Sequence, residues 1–252
     1  MHRFFVEKLQ KSESLITLTN ASEIHHLVDV LAVKKGGEVG LFDGKGSEAI
    51  GKISFIEKNK ILISVESFSC NAPQSATTVV LACALPKRHK FETIIEKTTE
   101  LGVDEIIPLQ TARTEVLLTG QRKTKKELRF HTVAVNAAKQ CLRRWVPLIH
   151  PISDISTILS IPSPDHLFLV GALRKPRLSI FEALEKNKNF RKITILIGPE
   201  GDFTPTEMAA MIKHNAVPIS LGEHTLKVDT AAITSIASIK NFLNWRQETT
   251  TT

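Results

Sequence analysis

Leu196-Ile197-Gly198-Pro199-Glu200-Gly201-Asp202-Phe203-Thr204-Pro205-Thr206-Glu207 is the stretch on which the fold turns. Ile193, Ile195 and Ile197, with Leu196, form a short apolar run of buried-strand length. Gly198 and Gly201 then offer backbone conformations that a side chain would forbid. Thr204 is a good N-cap, Pro205 suits the first helical position, and Glu207 completes a capping box. The reading is strand, sharp glycine loop, helix. In open α/β sheets, ligands bind at such loops beyond the carboxyl ends of strands. An ordinary strand-to-helix turn has the same spacing, so the loop alone assigns no function.

The same alternation extends to both sides. Val79–Leu85 reads as a buried strand, and Lys87–Leu101 as a helix ended by Gly102. Glu105–Leu109 is the next strand, and a long helix follows over Thr124–Trp145. His166–Gly171, Lys192–Ile197 and Val217–Ser220 are further strands with helices between them, and a last helix runs from Thr230 to Trp245. This order predicts a mostly parallel sheet covered on both faces. A second glycine loop, Leu221–Leu226, follows the strand Val217–Ser220. The small residues Ala231, Ala232, Thr234, Ser235, Ala237 and Ser238 would let the last helix approach another backbone closely; a plain helix start would look alike.

Upstream the pattern changes. Arg3–Val6, Leu15–Leu18, Glu38–Phe42, Ala49–Ile56 and Ile61–Val65 are strand-like, Ala21–Leu31 is helical, and Asp43-Gly44 and Lys58-Asn59-Lys60 are turns. A compact, partly open barrel is expected over residues 1–72. Phe68–Thr77 is the boundary, and residues 73–252 form the α/β domain.

Charge is unevenly placed. The 252 residues carry 33 Lys+Arg and 26 Asp+Glu, a net +7. Residues 113–145 hold nine basic side chains and two acidic ones, which accounts for the whole excess. On the predicted helix Leu128, Val135, Ala138 and Leu142 fall on one side, and Lys125, Arg129, Asn136, Gln140 and Arg143 on the other. An aligned cationic face suits a polyanion, and arginine adds a planar fork for phosphate. A merely solvated face is the competing reading.

Other classes are excluded. No apolar run is long enough to span a bilayer, and the amino terminus lacks a signal-peptide core. The nine histidines show no ligand spacing, so no metal site is expected. Three cysteines without a CxxC fit a reducing cytoplasm. Aromatics are only 6% with no tyrosine, which argues against a base-stacking sheet. Neither GxGxxG nor GKS/T is present, so a nucleotide-phosphate enzyme is disfavoured.

Six motifs in order carry a family resemblance. They are Met1-His2-Arg3-Phe4-Phe5-Val6; His25-His26-Leu27-Val28 with Val30-Leu31; Leu41-Phe42-Asp43-Gly44; Lys97 and Glu100-Leu101-Gly102-Val103 with Ile107-Pro108 and Arg113; Gly198-Pro199-Glu200-Gly201; and Leu221-Gly222 with Thr230-Ala231. Gln140, Arg143 and Val146-Pro147 match in part. The chain resembles the ribosomal small subunit methyltransferase E family of the SPOUT superfamily, which methylates uridine N3 in 16S ribosomal RNA.

The resemblance implies a PUA-like RNA-binding module, then an α/β knot domain that holds S-adenosylmethionine in three loops. Here those loops carry Val170 and Gly171; Ile197, Gly198, Glu200 and Gly201; and Leu221, Gly222, Thr225 and Leu226. Arg143 and Lys227 are expected to stabilise charge or position phosphate, and Glu200 to orient its loop. Arg3, Arg113, Lys125, Arg129, Gln140 and Arg143 are the residues expected on RNA. The family works as homodimers. Ala32, Asn136, Lys139, Trp145, Asp202, Lys227, Val228 and Asp229 depart from the family pattern, Asp202 standing where a second glycine is usual. The departures at Lys227–Asp229 keep open a catalytically silent RNA-binding protein that retains the knot as scaffold.

Overall fold

The computed structural model describes residues 1–72, 76–87, 90–115, 117–160, 165–187 and 189–250. Positions 73–75 of the expected boundary and 88–89 of the expected helix Lys87–Leu101 lie outside the described residues. The chain divides into two units: Met1–Gln74 with Ala138–Val146, and Ser75–Ala137 with Pro147–Thr252.

In the first unit, β1 (His2–Phe5), β2 (Leu15–Leu18), β3 (Glu38–Phe42), β4 (Ser47–Glu57) and β5 (Lys60–Cys70) form a sheet ordered β1-β3-β4-β5-β2. Only the β1–β3 pair is parallel. The β4–β5 register shifts at Ile50/Gly51 and at Ile53/Phe55. Such irregularities bend and twist a pair of long strands. Alternate residues face a core that includes Phe4, Leu18, Leu41, Ile53, Ile61 and Ile63. Helix α1 (Ala21–His25) starts at Asn20, whose Oδ1 accepts the N–H groups of Ser22 and Glu23 at 3.0 and 3.1 Å. The expected helix then widens into a π-helical turn over His26–Val30, which still buries Leu27. Ala32 turns the chain out of it with φ 50°.

The second unit is built on seven parallel strands: β6 (Thr78–Ala84), β7 (Glu105–Leu109), β8 (Leu148–Ile149), β9 (His166–Gly171), β10 (Leu178–Ser179), β11 (Lys192–Ile197) and β12 (Val217–Ser220). Their order is β10-β12-β9-β11-β6-β7-β8. Residues Val79–Ala84 of β6 have no exposed surface, as a parallel strand covered on both faces requires. Between the strands lie α2 (Lys90–Glu100), α3 (Gly120–Gln140), α4 (Ile155–Leu159), α5 (Ile180–Lys186) and α6 (Pro205–Lys213), and α7 (Val228–Thr250) closes the chain. Ala82, Ala84, Phe168, Val170 and Leu196 share a core with Ile155, Ile158 and Leu159 of α4 and Met211 of α6. α7 packs on β6 and β11, with α2 and α5 alongside.

The long basic helix differs from its expected course. It ends at Gln140, five residues before Trp145. Leu142 takes φ 59°, and the Arg143 N–H bonds the Ala138 carbonyl at 2.9 Å. That six-to-one closure is a Schellman stop, normally marked by glycine. Leucine in its place hides the stop from a sequence reading.

The segment after the stop packs in the first unit, although the sequence boundary assigns it to the second. Arg144 O and Val146 N–H bond the backbone of Gly46 and Gly44 at 3.3 and 3.0 Å. Gly46 has φ 99°, and a Cβ there would meet the Trp145 ring and Asn71 O at 2.5 Å. The site of contact therefore requires glycine.

Candidate functional site

β12, β9 and β11 are neighbours, so the loops leaving their carboxyl ends emerge side by side. Together with the start of α7 they enclose a cavity of about 320 Å³. Bare backbone at Gly171, Gly198 and Gly222, and apolar side chains at Ile197, Leu221 and Leu226, line it as expected. Glu200, Thr225 and Lys227 also reach it. The size and the apolar wall with a few polar groups suit a small-molecule ligand.

Two expected cofactor residues lie elsewhere. Val170 is fully buried in the core shared with α4 and α6. Successive strand residues face opposite ways, so Gly171 lines the cavity and Val170 does not. Gly201 sits beyond the lining, and a Cβ there would contact Arg113 Cδ at an ordinary 3.4 Å.

The turn of the Gly198–Gly201 loop is made by an unexpected residue. Neither glycine has positive φ; Asp202 does, at 61°. Aspartate tolerates this region better than most residues, and its Oδ1 accepts the Phe203 N–H at 2.8 Å. Asp202 thus performs the turn at the position where the resembled family carries glycine, and it lines the cavity. Gly198 serves close approach instead: a Cβ would stand 3.2 Å from the Phe203 ring.

Side chains hold this loop from outside. The expected capping box is present, with Thr204 Oγ1 accepting from Glu207 N–H and Glu207 Oε2 accepting from Thr204 N–H. Glu207 Oε1 also accepts the Ala112 N–H at 2.8 Å, and Arg113 Nη1 donates to the Gly201 carbonyl at 2.6 Å. Glu200 Oε1 accepts the Lys87 N–H at 3.3 Å. Beneath the loop, Cys83 is fully buried; burial, then the charges of Glu200 and Asp229, push its thiol up and keep it neutral.

At the other wall, Gly222 has φ 133° with open space where a Cβ would lie. Val228 and Ala231 of α7 line the cavity. Lys90 of α2 reaches Asp229 at 3.5 Å. The sequence reading missed Ala172, Leu173, Arg177, Ile219 and His224 as lining residues. Arg177 carries no motif and lies six residues beyond the end of β9, whereas His224 lies within the Leu221–Leu226 loop that the sequence marks.

The expected RNA residues occupy different settings. Lys125 is exposed on α3. Arg129 is 57% exposed and pairs with Glu92 at 3.1 Å, and Lys126 pairs with the same carboxylate at 3.4 Å. Burial raises the Glu92 carboxyl, but the bonds and charges of Arg129 and Lys126 outweigh it and hold it below the ordinary range. Arg113 spends a donor on the Gly201 loop. Gln140 is exposed at the end of α3, and Arg143 lies off the helix, so it does not continue the Lys125–Arg129 face.

Arg3 departs furthest from expectation. Its side chain is only 7% exposed. Nη1 donates to the carbonyls of Arg143 and Ala138 at 2.9 and 3.3 Å, Nη2 pairs with Glu48 at 2.5 Å, and the guanidinium lies over the Phe42 ring. Glu48 also pairs with Arg144, and Lys139 pairs with Glu23 at 2.8 Å. Arg3 therefore clamps the turn that carries Arg143 rather than presenting its charge to a ligand.

Similar proteins supply the family. A model described as "RNA methyltransferase domain" matches residues 73–240, and "RNA methyltransferase PUA domain" matches 18–66. "Ribosomal RNA small subunit methyltransferase E" of Synechocystis is 31% identical over 246 residues, covering 96% of this chain and 78% of the relative. The protein of that name from Bacillus subtilis is 28% identical over 245 residues, covering 95% and 96%. Among solved structures, the protein of that name from Neisseria gonorrhoeae, bound to S-adenosyl methionine, aligns with a TM-score of 0.85 over 96% of this chain and 97% of its own, at 22% identity. A Legionella pneumophila methyltransferase solved with SAM aligns equally well at 24% identity, covering 95% and 96%. The fold is a PUA-like module followed by an α/β domain built on a seven-stranded parallel sheet. By sequence and by architecture, the chain belongs to the ribosomal RNA small subunit methyltransferase E family.

Proposed function

We infer that the chain transfers a methyl group from S-adenosylmethionine to N3 of a uridine in 16S ribosomal RNA. One observation carries the reading: three loops at adjacent strand ends bring bare glycine backbone to a single cavity of cofactor size. The residues fit the group. Gly171, Gly198 and Gly222 leave main-chain atoms open to an adenosine, and Ile197, Leu221 and Leu226 supply an apolar wall. When bound, S-adenosylmethionine supplies a methyl carbon on a sulfonium sulfur.

The chain's own residues bind and orient. Holding the uridine N3, the methyl carbon and the sulfur in line removes most of the entropic barrier. N3 carries a proton in the neutral base, so the site must favour the anion. Lys227, at the cavity, is the cation proposed for that charge, and Arg143, on its clamped turn, is proposed to position RNA phosphate. Glu200 orients its loop through the Lys87 N–H. Lys125, Arg129, Gln140 and Arg113 are proposed on the RNA, with Arg129 exchanging its Glu92 partner for phosphate.

The functional unit is proposed to be a homodimer acting on an assembled small subunit in the cytoplasm. Supporting this is the family membership. Among the described residues no helix is long and apolar enough to cross a membrane. Titration calorimetry with S-adenosylmethionine tests the reading. Micromolar binding is expected; no binding at millimolar cofactor would leave the silent RNA-binding alternative.

A further inference from the structure

The excess charge of residues 113–145 draws attention away from a second cationic element. The connection from β9 to β10 reads Ala172-Leu173-Arg174-Lys175-Pro176-Arg177 and contains no acidic residue. Ala172, Leu173 and Arg177 line the cavity, so this loop forms part of its rim. Arg177 gives the loop a fixed shape. Its Nη1 donates to the Ala172 carbonyl at 2.8 Å and to the Leu173 carbonyl at 3.0 Å. One guanidinium thus closes the base of the loop by satisfying two main-chain acceptors.

The closed loop turns Arg174 and Lys175 to its tip. Both are exposed, and among the described residues neither forms an ion pair. This sets them apart from Arg129, Lys126, Lys139 and Arg144, each of which is paired with a carboxylate. Lys227 and His224, from the loop before α7, line the same cavity and are exposed. The acidic side chains of the lining are Glu200 and Asp202 on the β11 loop. Glu200 is engaged with the Lys87 N–H and Asp202 with the Phe203 N–H.

A base delivered to this cavity brings its own backbone with it. The phosphates on its two sides must cross the rim, because each is attached to the ribose of the bound nucleotide. Unpaired cations on a closed loop are suited to meet them, and arginine can do so with two parallel bonds. We propose that the Ala172–Arg177 loop is a phosphate clamp for the target RNA strand, with Arg174 and Lys175 contacting phosphates next to the modified nucleotide and Arg177 as the positioning residue. The proposal rests on the reading of the cavity as the methyl-transfer site. It differs from the α3 face in location and in consequence: a rim contact selects the strand at the reacting base, whereas α3 would hold RNA elsewhere.

The test compares the full-length chain with R174A/K175A and with the charge-keeping R174K. Binding of 16S ribosomal RNA is measured at three or more salt concentrations without cofactor, and S-adenosylmethionine affinity separately by calorimetry. Two lost phosphate contacts should flatten the log–log salt slope by about 1.4 to 1.8, and lower RNA affinity severalfold at low salt. R174K should keep the slope, and cofactor affinity should stay within about twofold in both variants. An unchanged slope in R174A/K175A overturns the clamp. So does loss of cofactor affinity in that variant, which would place the tip on the cofactor side of the cavity. Failure of the native chain to bind S-adenosylmethionine would instead overturn the methyl-transfer reading, while the salt slope would still report on the loop.

Discussion

Two residues without a glycine's freedom make turns on which the molecule depends. Leu142 stops α3 at φ 59°, and Asp202 turns the cavity loop at φ 61°. For an L-residue with a Cβ this conformation costs roughly 1–2 kcal/mol. Asp202 recovers part of that through its bond to the Phe203 N–H. Leu142 is 69% exposed and gains little from burial. Replacing it by glycine removes the strain but adds entropy to the unfolded chain, about 0.5–1 kcal/mol against folding. Leu142→Gly is therefore expected to raise stability by about 0.5–1 kcal/mol in urea unfolding. A loss of stability would show that the leucine side chain contributes contacts that outweigh its backbone cost.

At the scale of elements, the amino ends of the parallel strands carry a polar cluster opposite to the cavity. Glu105 of β7 accepts from His150 at 2.8 Å and from Lys192 of β11 at 2.9 and 3.0 Å. The His150 bond, against the opposing effect of burial and with help from Lys192, holds the Glu105 carboxyl down to about 2. His166 of β9 bonds Thr194 at 2.7 Å, and burial, then the Lys192 charge, push its imidazole down to about 4. Both groups resist protonation when folded, so both stabilise the native state at neutral pH and lose that contribution as pH falls. The His166 part is lost between about 6.5 and 4, and the Glu105 part between about 4.5 and 2. With its side chain 18% exposed, Glu105 should contribute about 3 kcal/mol at neutral pH. Unfolding free energy is expected to fall from pH 7 to pH 3. His166→Gln should flatten the upper part of that curve and Glu105→Gln the lower part; unaltered curves would show that the cluster does not set acid stability.

These elements also show what the sequence could convey. β2, β3, β7, β9, β11 and β12 keep the bounds expected from apolar runs and flanking turns: in β9 and β11 burial on both faces leaves a continuous apolar signal, and in β2 burial on one face leaves an alternating one. The capping box at Thr204 and Glu207 was equally legible, since its chemistry is local. What escaped was non-local or unmarked by its usual residue. β8 and β10 are two residues long. The α3 stop lacks glycine. Arg3 looks like a surface cation until Glu48, Ala138 and Arg143 are brought around it by the fold. In the cavity, the glycine motifs marked the walls correctly, but strand pleating removed Val170 and loop geometry removed Gly201. Arg177 was invisible because no spacing rule connects loops that meet only in the folded sheet.

At the scale of the whole molecule, the proposed homodimer is open to sedimentation of the full-length chain. A dimer at tens of micromolar is expected, since a stable interface has a Kd well below that range; a monomer there would remove the proposed assembly. The central claim concerns chemistry, and methyl transfer to bacterial small ribosomal subunits lacking this modification measures it most directly. The full-length chain is incubated with the subunits and S-adenosylmethionine, and the 16S ribosomal RNA is then digested to nucleosides and mapped. One 3-methyluridine per subunit, at a single position and dependent on both protein and cofactor, is the expected result. Cofactor binding without any methylated uridine, or a methyl group on another base or atom, would contradict it.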